Sequence, residues 1–270
     1  MISRSVRLLL AGVLLAACQT TAIEPASPAT SSPVPTVEPT PTVRPTPTVR
    51  PTPTAQPSPR PTPTLPPPAA FAMNLYQAGD FVPQHTFEWC VGASLQMAHN
   101  LVESDTRSTY EDQQRLWETA RDRSSNSFRG ANPVGWTTAL NEMGLGPYEL
   151  VMVRDYRDAL RTAAAAIHAT QRPVGLVMWR GRHAWVMSGF ESMGDPAIHA
   201  DFRVTGVRVL DPLFPHGSGL WGASPAPNSL LSPKELAKQF VVREPRRWSV
   251  AFGTGYFLVL PVTAAEADDV

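Results

Sequence analysis

The chain has 270 residues, its 23 lysines and arginines are matched by 23 aspartates and glutamates, and 29 residues are proline. With charge balanced overall and no basic patch or stripe along the sequence, nucleic acid is excluded as the expected partner. Beyond the N-terminus no apolar run reaches the roughly 20 residues that a membrane-spanning helix needs.

The first predicted element is a targeting segment. Arg4 and Arg7 precede an apolar run from Leu8 to Leu15, and Leu15-Ala16-Ala17-Cys18 closes it. A charged then apolar segment of this length, ending in small residues, reads as a secretory signal rather than a spanning helix. The final tetrapeptide resembles a bacterial lipobox, which implies that Cys18 becomes a lipidated N-terminus anchoring an extracytoplasmic protein to the cell envelope membrane. If Cys18 is acylated, Cys90 is a lone thiol in an exported chain, where cysteines usually pair. Such a thiol is either buried or used.

Residues 19–69 are predicted to be a tether. From Glu24 to Ala69 the chain is almost entirely Pro, Thr, Ser, Val and Ala, with units such as Val43-Arg44-Pro45-Thr46-Pro47-Thr48. Alternate prolines remove backbone donors, and without apolar bulk no core offsets chain entropy. Residues 70–270 are then one domain.

Within that domain the first half reads as helical. A loop with Gln84 leads into a helix opening at Cys90, whose apolar stripe is Cys90, Ser94, Met97, Ala98 and Leu101. Ser108 with Glu111 predicts a capping box and a helix to about Arg121. Asn132-Pro133 starts the next helix and Gly144 ends it. Tyr148 to Val153 is a strand, and Asp155 caps an alanine-rich helix that Pro173 stops. The second half reads as strands: Val174–Trp179, His183–Phe190, Arg203–Leu210 and Tyr256–Leu260, rich in β-branched and aromatic residues. A short helix starts at Ser232-Pro233, with Glu235 three residues after the cap. A helical block followed by a mainly antiparallel sheet is α+β.

Cys90 at a helix N-terminus is suited to nucleophilic chemistry, because unpaired N–H groups and the helix dipole favour a thiolate. Gln84, six residues upstream, carries a carboxamide that can donate to an oxyanion. If the strands at 183–190 and 203–210 pair antiparallel, Asp211 arrives beside His183 at about 5 Å. The acid can then hold one ring nitrogen and leave the other for the thiol. Each feature also has an ordinary account: a small buried cysteine, a strand-edge histidine, an Asp-Pro turn, a glutamine serving loop backbone. His85 lies close to this site and could touch substrate, whereas His99, His168, His199 and His216 have no role in it; no Cys/His pair has zinc-ligand spacing, and Gly253-Thr254-Gly255 is too short for a phosphate loop.

Together these motifs resemble the papain-like cysteine peptidases. Cys90-x-x-Ala93-Ser94-Leu95-x-Met97, His183-Ala184-Trp185-Val186 and Val209-Leu210-Asp211-Pro212, in the order Gln, Cys, His, Asp, are most similar to the branch that processes bacteriocin leaders and its stand-alone relatives. The resemblance implies a papain-like fold, a Cys90-His183-Asp211 triad with Gln84 at the oxyanion, and a thioester acyl-enzyme. It further implies a peptide or protein substrate, a monomer, and no cofactor or metal. The chain departs from that branch by carrying Val91 and Gly92 where glycine, often then proline, follows the cysteine. It also lacks the fused membrane and ATPase domains of the export proteins. Amide transfer by the same triad, and a catalytically silent binding or adhesion module on a stalk, are the alternatives.

Overall fold

The computed structural model of the protein describes residues 65–125 and 129–263. Cys18 and residues 19–64 of the proposed tether lie outside the described residues. Leu65 to Ala69 enter as exposed chain, and strand β1 (Ala70–Asn74) follows at once. Three helices come next: α1 (Cys90–Val102), α2 (Tyr110–Asp122) and α3 (Pro133–Glu142). Strand β2 (Tyr148–Val153) leads into α4 (Tyr156–Thr170), then β3 (Val174–Met178), β4 (His183–Met193) and β5 (Arg203–Leu210). Strands β6 (Gly217–Ser218) and β7 (Gly222–Ala223) pair with each other. The described chain closes through β8 (Ser229–Leu231), α5 (Pro233–Leu236) and β9 (Tyr256–Pro261). The fold is α+β.

Local chemistry accounts for the helix starts. The Asn132 carboxamide accepts from the N–H groups of Val134 and Gly135, and Pro133 supplies a first helical residue with no N–H to satisfy. Asp155 does the same for Arg157 and Asp158. Ser232 and Glu235 form a reciprocal capping box on α5. One start differs from its prediction. Thr109, not Ser108, caps α2 by accepting from the Asp112 N–H at 3.2 Å. The reason is tertiary: the buried Gln96 amide of α1 donates to the Thr109 carbonyl at 3.0 Å and fixes where α2 begins.

The sheet runs β2-β9-β3-β4-β5-β8, with β1 also paired to β4, and every pairing is antiparallel. Strand β4 is the spine. Its first half pairs with β3, from Met178 opposite His183 to Val174 opposite Met187. Its second half pairs with β1, from Asn74 opposite Gly189 to Ala70 opposite Met193. Its other edge pairs with β5.

Both faces of this sheet are covered, so the strands read as near-continuous apolar runs. On one face α4 buries Leu160, Ala163 and Ile167 against Leu176, Trp185, Met187 and Leu258. On the other, α1 and α3 bury Leu95, Met97, Trp136 and Leu140 against Ala184, Val186 and Val259. Helix α1 therefore has no solvent-exposed face over most of its length. Val91 to Asn100 are all buried, beyond the predicted stripe, because α1 lies between β4 and the α2/α3 pair.

The division into a helical half and a strand half is less clean than the sequence predicts. Strands β1 and β2 precede most of the sheet yet join it. The pentapeptide of β1 lacks β-branched residues and follows three prolines, so its local signal is weak. Tertiary contacts define it: Phe71 packs on Phe190 and His168 with ring centroids 5.8 and 5.5 Å away, and the Gly194 N–H donates to the Ala69 carbonyl at 2.7 Å. A chain beginning at Leu65 should melt like the full-length protein. One beginning at Leu75 should lose about 3 kcal/mol or more, from the Phe71 packing and the ladder together; equal denaturant midpoints for the two would show that β1 is dispensable.

Candidate active site

Cys90 is the first residue of α1 and is partly exposed. The residue before it, Trp89, provides no side-chain cap, and the first helical bond runs from the Ala93 N–H to the Trp89 carbonyl. The N–H groups of Cys90, Val91 and Gly92 precede that bond and face the helix entrance. Aromatic packing sets the entrance. The Trp89 indole lies 4.9 Å from the Tyr110 ring and 5.6 Å from the Trp117 ring, both on α2. Gly92 allows α2 to come this close, because a Cβ there would sit 2.8 Å from the Gln113 carbonyl oxygen.

The loop before Cys90 is held by amides. Fully buried Gln113 donates to the Pro83 carbonyl and accepts from the His85 N–H. Gln84 donates through Nε2 to the carbonyls of Thr86 (2.9 Å) and Phe87 (3.2 Å). Both amide protons of Gln84 are thereby engaged in the turn leading to Cys90, rather than directed to an oxyanion as the sequence predicts. The backbone N–H of Gln84 donates to the Pro212 carbonyl at 2.8 Å, and Phe81 meets Phe214 edge-on at 6.0 Å. These contacts tie the loop before the cysteine to the chain just after Asp211.

His183 begins β4 after a turn in which Trp179, Arg180 and Gly181 all have positive φ, at 55°, 56° and 81°. Only glycine adopts this region without strain, so two of the three positions are costly and are held by surrounding contacts. The Trp179 N–H and indole Nε1–H donate to the Gln239 backbone and side-chain oxygens at 3.1 and 2.8 Å, and its indole stacks on the His183 ring at 4.1 Å. Trp179 is a site residue that sequence reasoning missed; its aromatic bulk was assigned to a strand end.

Asp211 is fully buried and its Oδ1 lies 2.7 Å from His183 Nε2. The same oxygen accepts from the Leu213 N–H at 2.9 Å. The pairing of β4 with β5 is antiparallel, but Val186 lies opposite Leu210, so Asp211 falls opposite Trp185 and diagonal to His183. A diagonal pair on one face is within reach of a ring and a carboxylate.

Burial of this imidazole disfavours its cationic form. The hydrogen bonds that the ring makes to Asp211 and Cys90, with their nearby negative charge, outweigh burial, and the His183 pKa is raised from 6.5 to about 9. Asp211 occupies Nε2, which leaves Nδ1 as the ring nitrogen open to the thiol. Cys90 and His183 line one small cavity with Trp136, Val177 and Arg182. The structure thus brings Cys90, His183 and Asp211 together, and keeps Gln84 in the adjoining loop. A thiol, a base held by a buried acid, and open backbone N–H groups are the parts that acyl transfer requires.

His99 pairs with Asp105 at the far end of α1, His168 with Asp195, and His85 packs on Tyr110. Among the described residues no three His, Cys, Asp or Glu side chains are grouped to hold a metal ion. A cleft of about 500 Å³ opens over Cys90. Its lining includes Arg129, Arg182, Arg243, Arg246 and Arg247, with Glu88 the only acidic residue among the described ones. This corrects the expectation of no basic patch, because folding gathers arginines that are scattered in short runs along the chain. Compared with models of known protein families and with curated proteins, the chain matches none.

Because Cys90 is among the groups that raise the His183 pKa, Cys90→Ala should lower it, which a ring-proton NMR titration will read. The stabilisation linked to this histidine is fully present below pH 6.5 and is lost as pH rises through about 9. Thermal melts of the wild type should lose stability across that window, and the loss should be absent in His183→Gln; identical pH profiles would contradict it.

Proposed function

We propose that this chain is a lipid-anchored extracytoplasmic thiol hydrolase, a cysteine peptidase of papain-like fold. The observation that carries the reading is the meeting of Cys90, at the open N-terminus of a buried helix, with an imidazole fixed by a buried carboxylate.

In this reaction the Cys90 thiolate attacks the carbonyl carbon of a peptide or amide bond. The oxyanion that forms lies against the backbone N–H of Cys90 and the first turn of α1. As the tetrahedral species collapses to a thioester, His183 gives its proton to the departing amine. The neutral imidazole then takes a proton from water, whose oxygen attacks the thioester, and the carboxylate product leaves as the thiol is restored. Asp211 holds Nε2 throughout, so Nδ1 faces the reacting atoms. Gln84 supports the site by ordering the loop before Cys90, and Trp179 fixes the plane of the ring.

Alkylation tests this without a known substrate. Iodoacetamide should modify Cys90 in the folded protein rapidly, because an imidazole held by a carboxylate stands beside the partly exposed thiol. His183→Ala should lose most of that rate, and Asp211→Asn should lose less, because an amide oxygen can still accept from Nε2. A Cys90 that reacts only after denaturation would favour a silent binding module instead.

Anchoring is tested separately. Cys18→Ser should shift the protein out of the detergent phase on partitioning or leave an uncleaved precursor; a mature variant that partitions like the wild type would refute the anchor.

A further inference from the structure

Arg243 is the centre of the cleft's charge. It is buried, and its guanidinium donates to the Ser249 hydroxyl and the carbonyls of Arg180 and Arg246, at 2.8, 2.6 and 2.8 Å. It also lies 4.5 Å over the Trp248 ring. All of these partners are neutral. A buried cation without a carboxylate is uncommon, since burying a charge is costly unless it is paired. Its surroundings add like charge: burial first, then Arg246, Arg247 and Arg182, lowers its pKa.

The scaffold thus fixes a short Arg-rich segment, Arg243 to Arg247, against the turn Arg180-Gly181-Arg182 that leads into His183. Arg182 and Arg246 are exposed, and among the described residues neither forms an ion pair with an acidic group. Arg129 does have one, reaching Glu88 at 3.9 Å. The charge converges on a concave cleft that has Cys90 in its lining, not on a convex face, so what it recognises must enter beside the thiol. Guanidinium groups suit carboxylates through paired N–H donors.

We propose that the cleft binds peptides carrying carboxylates beside the bond to be cut, with Arg182 and Arg246 as the contacting residues and Arg243 as the residue that positions their loops. This rests on the thiol-hydrolase reading and narrows its substrate class to peptides with carboxylates next to the scissile bond. Acidic side chains and a free chain terminus both supply such carboxylates, and the experiment separates them.

The test compares two alkylating probes of near-equal size and different charge on the full-length protein, with Cys90 modification followed by peptide mass mapping. At low salt the iodoacetate-to-iodoacetamide rate ratio at Cys90 should exceed that of the Arg182→Gln/Arg246→Gln double variant by about tenfold, the lower end of what a charged cleft achieves. Added salt should erode the difference. The Arg182→Lys/Arg246→Lys variant should keep much of the ratio, which separates loss of charge from loss of folding. In a second arm, acetylated and amidated tetraglutamate should slow iodoacetamide modification at lower concentration than a neutral tetrapeptide. A neutral tetrapeptide that protects only with its C-terminus free would assign the site to a terminal carboxylate. A ratio unchanged by the arginine substitutions, with both probes reacting fast, overturns the acidic-peptide proposal and leaves the hydrolase reading standing. Failure of both probes at folded Cys90 overturns the two together. Protection by oligothymidylate but not by tetraglutamate would show a phosphate polymer as the occupant and overturn it also.

Discussion

The hydrogen bond between His183 and Asp211 is the interaction on which the rest of this site depends. Burial alone would leave the imidazole neutral, yet the ring favours its cationic form. A carboxylate that is itself out of water and already aligned begins the reversal, and Cys90 adds to it. Asp211 meets both conditions, because its Oδ1 is shared between the ring and the Leu213 N–H. Removing one member of such a pair strands the other, at a cost of about 3–5 kcal/mol. The pair therefore couples folding of the β4–β5 ladder to the geometry around Cys90 at the end of it.

The opposing half of the site is built by different means. Cys90 is placed by aromatic and amide contacts made before and beside α1: Trp89 between two rings of α2, Gln113 in the Pro83–His85 loop, and the Gln84 backbone on Pro212. The last contact crosses from the loop before Cys90 to the chain just after Asp211. Thiol and imidazole thus hold their separation through short paths in the same small region, and the long strands serve mainly to bring the ends together. Trp179 completes the arrangement from the far side of the ring.

Much of this was legible in the sequence where a local cause acts. Capping residues at Asn132, Asp155 and Ser232 mark helices because side-chain oxygens satisfy N–H groups within three residues of them. Strands β2 and β5 match their predicted limits because their apolar, β-branched runs have abrupt ends. Cys90, His183 and Asp211 stood out because motif order and a hairpin argument coincide. What the sequence did not show was decided by distant partners. Strand β1 exists through Phe190 and Gly194, the α2 cap was moved by Gln96, and the Gln84 amide donates to the Thr86 and Phe87 carbonyls of its own loop. The arginine cleft was hidden for a related reason: a balanced charge count says nothing about which cations folding makes neighbours.

The way the chain enters the domain also fixes which way the site looks. Ala70 pairs with Met193 at the end of β4, whereas His183 stands at its beginning. Eleven residues of strand separate the two points by roughly 30 Å. The described chain thus enters the domain at one end of this strand, and the mouth of the cleft opens near the other. A partner meets the thiol at the end of β4 that lies away from Ala70, so β1 does not cross its approach.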